Sequence, residues 1–132
     1  MSFKVTYKNG CTPKEQQSAG GRYYIDSDVG RKFGSTGTVN LSMTATGIYN
    51  NNYKVPNTAV EIVSAGSNYT FVYIKNTNEQ DILITLDNSN YLIMLSKGEA
   101  FASQISVNAN VKVKADADES TDNSTIEYYV SK

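Results

Sequence analysis

The side chains that most often carry catalysis are scarce in this sequence. It has no His and a single Cys. Without an imidazole there is no common general base, no usual activator of a Ser or Cys nucleophile, and no preferred metal ligand. Cys11 stands in a Gly-Cys-Thr-Pro run with no base to lower its pKa, so it is not expected to attack a substrate. A zinc site built from thiolates and imidazoles cannot be assembled from one Cys. Carboxylates are the remaining acid–base option, and a glycosidase needs two of them across a sugar cleft, about 5–10 Å apart. The candidates are Asp26, Asp28, Glu61, Glu79, Asp81, Asp87, Glu99 and Glu127. Most fall at strand ends or on outward positions, where solvated charge is the ordinary reading. No catalytic residue and no cofactor is assigned.

Two acidic clusters could hold calcium, which takes six to eight oxygen ligands. One is Asp26-Ser27-Asp28; the other is Asp116, Asp118, Glu119 and Asp122. Neither has the glycine and closing Glu of an EF-hand loop, and a polar hairpin loop explains the second equally well. Asn40, Asn68 and Asn123 each begin a glycosylation acceptor triplet. In a chain so rich in Asn, Ser and Thr, chance supplies such triplets. Tyr23, Tyr24, Tyr49 and Tyr53 could stack on sugar rings, or fill an interface between chains.

These residues need a scaffold, and the pattern for one is clearest between Tyr69 and Phe101. Apolar strands are expected over 69–75, 81–87 and 91–95, with a fourth beginning at Glu99. Ile82, Ile84 and Leu86 share one face. Strands 69–75 and 91–95 are apolar on both faces, which belongs to a sandwich or to a sheet that meets a partner. Tyr69, Phe71 and Tyr73, together with Tyr23 and Tyr24, are therefore the interface candidates.

Elsewhere, strands are expected over 3–7, 22–26, 38–46, 59–64, 99–105, 111–115 and 125–130. The alternation of Val39, Leu41, Met43 and Ala45 with polar residues predicts one buried face. Ile126, Tyr128 and Val130 are expected to point inward. Asn9-Gly10 is a turn signal, Thr12-Pro13-Lys14-Glu15 resembles a helix start, and Gly47 to Pro56 reads as a loop. Nine or ten strands at such spacing predict an all-β chain with little helix, an antiparallel β-sandwich of jelly-roll-like or immunoglobulin-like type. One domain is expected, with an N-terminal strand plus a glycine-rich arm or loop over residues 1–37 and the sandwich over 38–132.

The totals agree. The 132 residues include 14 Ser, 12 Thr, 14 Asn and 10 Tyr but no Trp, a composition suited to strand surfaces and turns. Net charge is −1, so no nucleic-acid footprint is present. No apolar run could span a bilayer as a helix. The start, MSFKVTYKNG, lacks the apolar middle of a signal peptide, which predicts synthesis and retention in a cytoplasm.

The runs FVYIKN, ITLDNSNYLIMLSKGEAF and the final TIEYYVSK resemble small all-β virion proteins of tailed bacteriophages, of the capsid-decoration or head- and tail-associated kind. The resemblance covers residues 69–132. It implies a structural, non-enzymatic role and assembly in copies on a particle made in the bacterial cytoplasm. Other virion proteins, such as a capsid protein, would be the partners, and a homo-oligomer, a trimer for instance, would be the form. The alternative is a carbohydrate-binding or host-adhesion module that uses surface Tyr, Asn and Asp.

Overall fold

A computed structural model describes residues 2–11, 33–42, 47–119 and 122–131 of the chain, the first two spans as backbone alone. Ten strands lie among the described residues. Two of them, β1 (Ser2–Cys11) and β2 (Phe33–Ser42), form an antiparallel ribbon of their own. The other eight are β3 (Ile48–Lys54), β4 (Val60–Val63), β5 (Phe71–Asn76), β6 (Ile82–Thr85), β7 (Ile93–Leu95), β8 (Ala100–Gln104), β9 (Val111–Ala115) and β10 (Thr125–Ser131). They build two four-stranded sheets, ordered β3-β10-β5-β8 and β4-β9-β6-β7, and every pairing within them is antiparallel. That interleaving of early and late strands is the order of a jelly roll; it is not the immunoglobulin order.

Period-two patterning explains which face each strand buries. In β5, Val72 and Ile74 enter the core while Phe71, Tyr73 and Lys75 take the opposite face. In β9, Val111, Val113 and Ala115 are buried between the outward Lys112 and Lys114. The core joins both sheets through Val72, Ile74, Ile126 and Val130 on one side and Ile82, Ile84, Leu95 and Val113 on the other. Burying each such side chain contributes about 1.5–3 kcal/mol before the entropy of ordering is subtracted. Tyr128 packs on this core as expected, edge-on to Tyr53 at 5.7 Å between ring centroids.

Several expectations are corrected. Of the strand expected over 38–46 as part of the sandwich, residues 38–42 belong to β2, which pairs with β1 instead, and residues 43–46 lie outside the described residues. Alternation reveals that one face of a strand is apolar but not which layer receives it. Asn9-Gly10 makes no turn: β1 runs through both to Cys11, pairing Asn9 with Ser35 and Gly10 with Gly34. The 47–56 loop is largely strand β3. The strands expected over 69–101 are divided between the sheets, with β5 and β8 in one and β6 and β7 in the other. The expected helix start at 12–15 and the strand at 22–26 lie outside the described residues.

Two edge strands carry irregular register. Tyr53 pairs with Ile126 and Asn50 with Tyr128, so Asn51 and Asn52 together oppose the single Glu127. This is a β-bulge, which bends the strand and re-aims its side chains. A second register shift separates Glu61 from Val63 in β4.

Candidate functional site

The outer face of the β3-β10-β5-β8 sheet is built from aromatic residues around one carboxylate. Register places Tyr129 of β10 between Tyr49 of β3 and Tyr73 of β5. Two residues along β10 on the same face, Glu127 pairs with Lys75. Its carboxylate accepts two hydroxyls: Tyr49 Oη donates to Oε2 at 2.7 Å, and Tyr73 Oη donates to Oε1 at 2.9 Å. These bonds, the Tyr49 one foremost, hold the Glu127 carboxyl below its usual range, and the nearby Lys75 ammonium adds to the effect. Tyr73 is pushed up to about 12, first by burial and then by Glu127. Tyr49 is also raised, chiefly because its hydroxyl donates to Glu127. Tyr49 is 59% exposed while its hydroxyl is held by Glu127.

Next to this trio, Phe71 and Tyr129 stack obliquely at 6.2 Å between centroids. Gly47 lets the chain pass Tyr129, because a Cβ there would stand 2.8 Å from its ring.

The interface candidates fall in different places. Phe71 lies on the outer sheet face but is only 2% exposed, so it is covered within the chain and is not the open apolar side chain expected. Tyr73 is half-buried and engaged by Glu127, and Tyr69 packs against the core. Tyr23 and Tyr24 lie outside the described residues. The large apolar side chains that are exposed include Leu92 and Met94, at and beside edge strand β7, with Ile48 and Val107.

The calcium candidates do not converge. Asp122 is paired with Lys54, which lowers its carboxyl pKa by a hydrogen bond and charge. The backbone carbonyls of Asp116 and Asp118 accept from Gln80 Nε2 and Asn57 Nδ2. Glu119 is exposed, and among the described residues no three acidic, His or Cys side chains are grouped to hold a metal. Asp26 and Asp28 lie outside the described residues.

Asp87, Glu61, Glu99 and Glu79 are engaged in local structure. Asp87 accepts from Thr85 Oγ1, Ser89 N, Asn90 N and Asn90 Nδ2 at 2.7–3.0 Å, which holds its pKa far below the carboxylate range and shapes the turn before β7. Glu61 accepts from Ser64 and Asn110, Glu99 from the Ser96 amide, and Glu79 pairs with Lys97. Two open hollows flank Leu86. One, of about 280 Å³, is lined by Asp87, Asn90, Leu92 and Ile93; the other, of about 380 Å³, by Gln104, Ile105, Asn108 and Ala109. Among the described residues no helix is long and apolar enough to cross a membrane.

The fold and face thus define an eight-stranded jelly roll with an added ribbon and an aromatic, carboxylate-centred sheet surface. No protein-family model, curated protein or solved structure matches the chain.

Proposed function

We propose that this chain is a non-enzymatic structural component of a bacteriophage particle, a capsid-decoration or other accessory protein that works through protein–protein contacts. The register of the β1–β2 ribbon carries the reading. It sets Phe3, Val5, Tyr7 and Cys11 on one face with Leu41, Val39 and Phe33. Ser2, Lys4, Thr6 and Lys8 share the other face with Ser42, Asn40, Thr38 and Thr36. A two-stranded ribbon is marginal in water unless one face is buried. Both ribbon strands lie beside β8, the edge of one sheet, which suits an arm reaching from the jelly roll toward a capsid protein or a second copy. Jelly rolls recur in viral capsids.

Mass spectrometry of purified particles from cells that make the protein tests this. The protein should be present in a fixed ratio to the capsid protein, and Val39→Asp should remove it from the particle without unfolding the jelly roll. Absence of the unaltered protein from every particle would end the reading. Light scattering after gel filtration is expected to report more than one chain.

A further inference from the structure

The geometry points to a binding site for a neutral saccharide on the outer face of the β3-β10-β5-β8 sheet, centred on Tyr49 and Glu127. Three features of that face match the chemistry of a sugar. A pyranose offers an apolar C–H face, and Tyr49 offers an exposed ring held in place by its own hydroxyl bond to Glu127. A sugar also offers hydroxyls as donors. Each Glu127 oxygen accepts one tyrosine hydroxyl, and a carboxylate has about four acceptor positions, so capacity for sugar hydroxyls remains. Sugar oxygens need donors in turn. The bulge sets Asn51 and Asn52, both exposed, opposite Glu127 from one side, while Lys75 pairs with it from the other.

The charges decide the class of sugar. Glu127 and Lys75 stand side by side with opposite signs, so the site has no excess positive charge to hold a sialylated or sulfated glycan. Preorganisation also favours binding. Tyr49 and Tyr73 are already locked onto the carboxylate, so ligand binding would freeze few further rotors. This inference is independent of a particle role: a virion component and a free-standing module could each carry the site.

An array of neutral oligosaccharides of glucose, galactose, mannose and N-acetylglucosamine tests it, followed by amide NMR titration with whichever saccharides bind. Binding is expected for at least one, with shifts over residues 48–52 and 126–129. Tyr49→Ala and Glu127→Gln should each weaken binding by about tenfold or more, the loss of stacking or of a charged hydrogen bond. Both should melt cooperatively with the overall fold intact. Tyr49→Phe, which keeps the ring, should bind better than Tyr49→Ala. No binding to any neutral saccharide, a response only to acidic glycans, or binding that both Tyr49→Ala and Glu127→Gln retain would overturn the assignment.

Discussion

Asn76 Nδ2 donates to the carbonyl oxygen of Leu95 at 2.8 Å, a hydrogen bond that joins strands from opposite sheets. Asn76 is fully buried; it also donates to Gln80 O and accepts from the Asn78 amide. One side chain thus pins the end of β5 to the end of β7 and shapes the turn before β6.

Asn76→Ala would strand the Leu95 and Gln80 carbonyls and the Asn78 amide without their partner. Only the Leu95 bond is fully buried, the other two being part-buried, and an unsatisfied buried group costs about 1–3 kcal/mol, so a loss of at least that size is expected. Asn76→Asp should cost at least as much, because a carboxylate would face two carbonyl oxygens. Urea unfolding checks both. The midpoint should fall while the slope stays unchanged.

Core and surface apolar residues should separate sharply. Ile84 is fully buried, and Ile84→Ala is expected to cost about 2–5 kcal/mol. Leu92 is 88% exposed, and Leu92→Ala should stay within about 0.5 kcal/mol of the unaltered protein. Thermal melts of the two variants make the comparison. A large loss at Leu92 would show that it is buried in an oligomer.

The Tyr73–Glu127 bond should appear in the alkaline titration. Tyr73 is raised from its ordinary 10.0 to about 12, so its contribution to stability is complete below pH 10. That contribution fades as pH rises from 10 toward 12. Glu127→Gln should bring Tyr73 part of the way back, leaving the shift due to burial. Tyrosinate absorbance followed against pH reads this directly.

Asp87 predicts the opposite limb. Its pKa is lowered by the Asn90, Ser89 and Thr85 bonds, so its contribution is present above the ordinary value of 3.8. It is lost as pH falls below that value toward the lowered one. Asp87→Asn should therefore flatten the decline of stability in acid, measured as melting temperature against pH.

Much of the fold was legible in the residues. The alternation in 111–115 and 125–130 names the buried faces of β9 and β10 correctly, because strand patterning reports burial locally. Strand β3 was not legible, since Asn50-Asn51-Asn52 carries turn preferences, and its pairing with β10 overrides them. The ribbon was half visible: the 38–46 alternation predicts a one-sided strand, but only pairing reveals its partner. The Tyr49–Glu127 bond joins residues 78 positions apart. Tyr49 stood out as a stacking candidate, whereas Glu127 looked like ordinary surface charge, and no local pattern links the two.

The irregular register of β3 and β4 bears on what happens when many copies are crowded together. These two strands form one edge of each sheet, and each breaks the even row of amides and carbonyls that a foreign strand would need. At the opposite edges, β7 is only three residues long and β8 has the ribbon beside it. Fibril-like growth by strand addition is thus opposed along both flanks. Copies crowded together would therefore have to meet through faces and not through strand edges, the route by which amyloid grows.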